Sequence, residues 1–141
     1  MKTKSDSILE QSAVIPFLEN DGDPKIILVT AKSSKKWIIP KGNDETGMPP
    51  YESAAKEALE EAGVLGTVSK EFLMDYDYEK KGRVRHVKVY SLKVTEMLED
   101  WDERSTRERR IVGLTEAMVF VKPELKWILF EFRRKYLGLP Y

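Results

Sequence analysis

The sequence predicts a domain of mixed α and β structure, and three observations carry that prediction. Short β-branched runs crowd its opening third, an alanine- and glutamate-rich helix lies mid-chain, and an apolar-striped helix closes it. Ser12 to Leu18 (SAVIPFL) and Lys25 to Thr30 (KIILVT) are strand-like. The turn formers Glu19 to Pro24 (ENDGDP) between them predict a hairpin. Lys36 to Ile39 (KWII) is a third short run, stopped by Pro40 and followed by a polar, proline-containing loop from Lys41 to Pro50.

Tyr51 to Ala62 (YESAAKEALEEA) is the clearest helix. Pro50 suits its first position and Gly63 its C-terminal stop. Val64 to Tyr78 and Arg83 to Thr95, joined through Glu79 to Gly82 (EKKG), predict a second, longer hairpin, and Arg109 to Val112 a further strand. In Pro123 to Tyr136, Leu125, Ile128, Leu129 and Phe132 make one helical stripe, and Gly138 and Pro140 stop it. No repeat, low-complexity tract or linker divides the chain, so residues 1–141 are expected to form one domain.

A chain of 141 residues can bury a proper core unaided, since domains of this size bury about 70% of their unfolded surface. The 24 Lys plus Arg balance the 24 Asp plus Glu, so no global field draws the protein to nucleic acid or an anionic membrane. Any polyanion site is local, and an extended nucleic-acid track is not expected. The absence of cysteine excludes a disulfide scaffold, a thiolate zinc site and a cysteine nucleophile. The opening MKTKSDSILE has no apolar signal stretch and no run approaches a membrane span, which predicts a cytoplasmic protein.

At about 100° per residue, Glu57, Glu60 and Glu61 share one arc of the mid-chain helix. Ala55, Ala58, Leu59 and Ala62 form a small-residue stripe on the other side, which would lie on a sheet and leave the acids facing solvent. Like charges four apart repel, and acids late in a helix oppose its dipole. A divalent cation reverses that sign, because magnesium prefers oxygen ligands. The bland alternative is a solvated face with Glu52, Lys56 and Glu60 as ordinary i,i+4 pairs.

The segment Gly42 to Val64 (GNDETGMPPYESAAKEALEEAGV) resembles the Nudix box, G-x5-E-x7-R-E-U-x-E-E-x-G-U with U a bulky aliphatic residue. Gly42, Glu57, Glu60, Glu61, Gly63 and Val64 match without a gap, and Trp37 to Gly42 (WIIPKG) looks like the strand and turn that precede the box. Met48, Lys56 and Ala58 depart from it, standing where the pattern has glutamate, arginine and a bulky aliphatic. In the family that glutamate and arginine support the loop and helix, so Met48 with Lys56 implies a different brace. The stretches KVTEMLEDWDE (Lys93 to Glu103) and RERRIVGLTEA (Arg107 to Ala117) resemble the diphosphoinositol polyphosphate and diadenosine polyphosphate phosphohydrolase branch.

The resemblance implies a Nudix α/β/α sandwich, a mixed sheet between helices, and magnesium- or manganese-dependent hydrolysis of a phosphoanhydride. Dinucleoside polyphosphates and diphosphoinositol polyphosphates are the first substrates to test. It assigns Glu57, Glu60 and Glu61 as catalytic residues and metal ligands, with the carbonyl of Gly42 as a further ligand. The general base is either one of these glutamates or an acid from Glu99 to Glu103 folding over the site. Substrate phosphates are expected to meet Lys35, Lys41, Arg83, Arg85, His86 and Arg109, drawn from three basic groups along the chain. Trp37 suits either base stacking or packing, whereas Trp127 reads as packing within the terminal helix. The partner is then a small polyphosphate, with no membrane, and the sequence does not choose between a monomer and a homodimer. The competing reading is a non-catalytic module of the same fold that binds a phosphorylated ligand. A protein-interaction domain built on the terminal aromatic helix has no specific support.

Overall fold

The computed structural model describes residues 8–138. In chain order the strands are β1 (Leu9–Leu18), β2 (Lys25–Thr30), β3 (Trp37–Ile38), β4 (Lys41–Asn43), β5 (Val64–Val68), β6 (Met74–Lys80), β7 (Arg83–Met97) and β8 (Arg109–Gly113). Helix α1 (Pro50–Glu57) runs on into a π-helical turn (Ala58–Ala62), and α2 (Leu114–Phe120) and α3 (Pro123–Tyr136) follow β8. The strands make one eight-stranded mixed sheet with the central path β3-β2-β1-β7-β5.

The centre is the parallel pairing of β1 with β7, from Leu9 opposite Arg85 to Phe17 opposite Lys93. Buried from Gln11 to Phe17, β1 is covered on both faces, as a parallel pair requires. Ala13, Ile15 and Phe17 meet Ile128, Leu129 and Phe132 of α3 on one face, while Val14 meets Ala54, Ala58 and Ala62 on the other. Each fully buried aliphatic side chain here contributes roughly 1.5–3 kcal/mol relative to exposure. The mixed sheet between helices expected from the sequence is the architecture found.

The expected first hairpin forms, with Phe17 opposite Ile26 and Leu18 opposite Lys25. The second is not a simple hairpin. β7 is long enough to pair with β6 over Arg83 to Val89 and with β5 over Leu92 to Met97, so the expected single arm from Val64 to Tyr78 divides. Ser69 to Leu73 loops between the halves, held by Ser69 N–H on the Ser91 carbonyl at 2.9 Å and Leu73 N–H on the Val89 carbonyl at 2.7 Å. The polar loop expected from Lys41 contains strand β4, whose pairing with β1 sets Gly42 opposite Ser12. α2 was not among the expected elements, because only Leu114 and Ala117 on it are buried, too few to show a helical period. Among the described residues no helix is long and apolar enough to cross a membrane.

Candidate active site

Helix α1 starts with Pro50 in its first turn, where the missing N–H costs nothing, and Glu52 complements the dipole. Its buried stripe is Ala54, Ala58 and Ala62, three methyls that bring the helix close to β1 and β2. The sequence stripe placed Leu59 there, but the widened turn at Ala58–Ala62 rotates the register and leaves Leu59 half-exposed. Gly63 ends the helix at φ 65°, a left-handed conformation that suits glycine. A Cβ there would lie 2.7 Å from the Trp101 ring.

A helix end leaves its last carbonyls without intrahelical donors. Here one downstream segment supplies them. Glu103 N–H donates to the Glu60 carbonyl at 3.0 Å, Trp101 Nε1–H to Glu61 at 3.0 Å, Arg109 Nη1–H to Ala62 at 2.9 Å and Leu98 N–H to Gly63 at 2.8 Å. The Arg109 guanidinium lies 4.1 Å from the centre of the Trp101 ring and also donates to the Leu98 carbonyl at 2.6 Å. The segment from Leu98 to Arg109 is thus a clamp on the acid-bearing turn.

Glu57 packs directly on the Cα of Gly42, leaving no room for a side chain there. Its carboxyl hydrogen-bonds to that of Glu61, which is only 3% exposed. The expected solvent-facing acid is therefore buried, because Leu98 to Arg109 covers it. Lys41 N–H donates to Glu61 Oε1 at 3.3 Å, and the Arg107 guanidinium stands 3.7 Å from the same oxygen. Arg107 also donates to Glu103 at 2.7 Å and to the Thr30 carbonyl at 2.9 Å, and Lys32 pairs with Glu103 at 3.4 Å. Burial pushes the Glu61 carboxyl up to about 8; Arg107 opposes the rise, and Glu57 and Glu103 add to it. Burial likewise raises Glu57, with the Glu61 hydrogen bond opposing and the charges of Glu60 and Glu103 adding.

Glu60 turns outward to Lys56 at 3.5 Å. Lys56 also donates to Glu45 at 2.6 Å, and that hydrogen bond leads the causes that raise its pKa. Glu45 N–H is in turn held by Ser53 Oγ at 3.1 Å. Glu45 thus supplies the acid that Met48 lacks, and the loop keeps a brace to the helix. Among the described residues no three acids or histidines close around one point as they stand. The all-oxygen donor set still fits a hard divalent cation: the backbone of Gly42 is pressed against Glu57, and Glu57 and Glu61 lie together with burial raising both pKa values.

Beside this cluster a cavity of about 360 Å³ is lined by Trp37, Ile39, Tyr76, Leu125, Trp127 and Ile128, with the charged groups Lys41, Lys122 and Glu124 also on its wall. Trp127 is 54% exposed, so it does not pack into the core as the sequence suggested but forms part of this wall. Of the anticipated phosphate contacts, Lys41 is here, and Arg85 sits across from Tyr78 with its guanidinium on the Lys80 and Arg83 carbonyls. Arg83 begins β7 and is exposed, and Lys35 lies in the exposed loop before β3 with φ 61°. His86 is one residue out of phase with Arg85, hence on the other sheet face, with Nδ1 2.8 Å from Glu10 and Nε2 2.9 Å from Asp75. Arg109 is committed to the Ala62 and Leu98 carbonyls. Sequence reasoning did not find Gln11, Tyr76 or Tyr78, which carry no motif. The MLEDW run was the one signal for Trp101.

The profile of the NUDIX domain family matches residues 9–136. Nudix hydrolase 12, mitochondrial, of Arabidopsis thaliana is 33% identical over 119 residues, covering 78% of this chain and 59% of that protein. Diphosphoinositol polyphosphate phosphohydrolase 2 of Rattus norvegicus is 33% identical over 94 residues, covering 67% and 51%. The chain therefore spans a little over half the length of these curated relatives. The crystal structure of a C. elegans Ap4A hydrolase binary complex superposes with a TM-score of 0.75 at 20% identity, over 93% of this chain and 99% of that one, a likeness of fold.

Proposed function

The chain belongs to the NUDIX domain family, and on that premise we propose that it hydrolyses a phosphoanhydride in a substrate that joins an aromatic ring to a polyphosphate chain, a dinucleoside polyphosphate before a diphosphoinositol polyphosphate. One observation carries the reading. Lys41 bridges the two halves of the site, its backbone N–H on the Glu61 carboxylate and its side chain on the wall of the aromatic cavity.

Glu57, Glu60, Glu61 and the Gly42 carbonyl would hold magnesium or manganese, which neutralises charge on the anhydride oxygens and acidifies the attacking water. Gly42 brings backbone against Glu57, a close approach any side chain would block. Arg107 and Lys32 hold Glu103 beside Glu61, so the proton acceptor is either one of the helix glutamates or Glu103. The Leu98 to Arg109 clamp holds the backbone of Glu61 through Trp101 and its carboxyl through Arg107. Trp37, Tyr76 and Trp127 offer flat apolar faces to a base, a poor match for a polyanionic inositol ring that needs cations all round.

Purified protein incubated with magnesium or manganese and diadenosine tetraphosphate, a nucleoside diphosphate sugar or a diphosphoinositol tests this. Turnover of the aromatic substrates ahead of the diphosphoinositol, lost in Glu61→Gln, is expected. Tight binding without turnover of any of them would replace the reading with a non-catalytic binding module.

A further inference from the structure

Strand β6 presents Tyr76 and Tyr78 on the face packed toward α3, with Asp75 and Asp77 on the other. The Tyr78 ring carries the Lys41 ammonium 4.2 Å from its centre and the Arg85 guanidinium at 5.9 Å. Lys41 Nζ donates to the Tyr78 hydroxyl at 2.8 Å, the hydroxyl donates to Gln11 Oε1 at 2.8 Å, and Gln11 Nε2 donates to Asn43 Oδ1 at 2.9 Å. The direction of this chain is forced, because an ammonium cannot accept and the hydroxyl has one proton to pass on. Gln11 is only 8% exposed, so the relay is anchored in the sheet. It also closes a loop around Gly42, whose neighbours Lys41 and Asn43 are its two ends.

Among the described residues no carboxylate lies within ion-pair distance of Lys41 or Arg85. Elsewhere in the site the cations Lys32, Lys56 and Arg107 all have acid partners. Arg85 is satisfied by the Lys80 and Arg83 carbonyls, whereas Lys41, on the cavity wall with Lys122 and Glu124, has only the Tyr78 hydroxyl among the described residues, which leaves its ammonium a place for an anion.

We propose that Tyr78 is a positioning residue that aims the Lys41 ammonium at the phosphate chain of the substrate, and that it thereby sets affinity for the polyphosphate part. The proposal deepens the hydrolase reading and rests on it for the identity of the anion. Tyr78 itself need not touch the reacting atoms. The hydroxyl holds Nζ at one end of the cavity while the Lys41 backbone stays on Glu61, so the phosphates of a ring-bound substrate are led toward the acids.

The test is a double-mutant cycle of Tyr78→Phe and Lys41→Met on diadenosine tetraphosphate, with calorimetric binding of inorganic tripolyphosphate as a second readout. Phenylalanine keeps the ring and loses only the hydroxyl. Tyr78→Phe should raise KM and weaken tripolyphosphate binding roughly tenfold, the scale of one hydrogen bond to a charged group, with kcat little changed. In the Lys41→Met background the same substitution should do nothing further, since it acts only through that ammonium. Equal effects of Tyr78→Phe in both backgrounds, or none in either, would overturn the proposal. If the wild type turns over no polyphosphate, the hydrolase reading fails while the tripolyphosphate cycle still decides the role of Tyr78.

Discussion

Replacing Glu61 by glutamine separates what this residue does for folding from what it does for chemistry. In the folded chain its carboxyl is raised from 4.5 to about 8, chiefly by burial. A carboxyl whose folded pKa lies above its unfolded one keeps its proton on folding. Its contribution is complete below pH 4.5 and is lost as pH rises toward 8. At about 1.4 kcal/mol per pH unit, the metal-free protein gives up roughly 3 kcal/mol between pH 4.5 and 7 through this group. Glu57 shares the hydrogen bond, so the loss belongs to the pair and the figure is an upper one. Glutamine mimics the protonated acid and can donate to Glu57. In chelator at pH 5, Glu61→Gln and wild type should therefore melt together. At pH 8 the variant should melt higher, by up to the order of 10 °C for a chain of this size. Magnesium should then raise the melting temperature of the wild type at pH 8 more than that of the variant, which lacks one of the carboxylate ligands. A variant less stable than wild type by the same margin at both pH values would refute the reasoning. It would mean that the attraction of Arg107 outweighs burial.

Further outcomes follow from other contacts. Gly42→Ala puts a methyl on the Glu57 carboxylate, which must swing away; turnover should fall roughly a hundredfold with little change in melting temperature, as steady-state assay and calorimetry would show. Trp101→Ala removes the donor to the Glu61 carbonyl and the stack with Arg109, and urea titration should show a loss of roughly 3 kcal/mol. Trp101→Phe keeps the stack and should lose about 1 kcal/mol. Trp127→Ala should raise KM for diadenosine tetraphosphate roughly tenfold and leave calorimetric tripolyphosphate binding unchanged, since it takes a stacking face from the base alone. The hydrogen bonds to Asp75 and Glu10 raise the His86 pKa above 6.5, so its contribution is complete below pH 6.5 and lost as pH rises through the folded value. The melting difference between wild type and His86→Gln should accordingly be largest in acid and shrink toward alkaline pH.

The elements that were legible are those whose signal is local. β2 begins and ends where its β-branched run does, and α3 follows its stripe from Pro123 to Tyr136. The parallel pairing of β1 with β7 left no local trace, because it joins residues more than seventy positions apart and depends on burial of both faces of β1. Short β4 was lost for the opposite reason: Lys41-Gly42-Asn43 has no strand propensity and is held by its partner strand. The widened turn at Ala58–Ala62 was equally silent, since alanine, leucine and glutamate favour an α-helix, and the donors to its carbonyls come from the distant clamp.

The box glutamates were readable as a set, but their roles were not, because helical spacing fixes direction and not surroundings. Three acids on one arc look equivalent until Leu98 to Arg109 is laid over the helix end. That segment divides them. Glu61 goes under cover with Arg107, Glu57 is pinned between Gly42 and Glu61, and Glu60 stays outside with Lys56. The departures Met48 and Lys56 then have an unequal meaning. A lysine reaches only as a point charge, so its partner has to come to it, and Glu45, held by Ser53, does so from within the loop. The brace therefore survives at the exposed edge of the cluster, while the buried acids are ordered by Lys41, Trp101 and Arg107, none of which the box pattern contains.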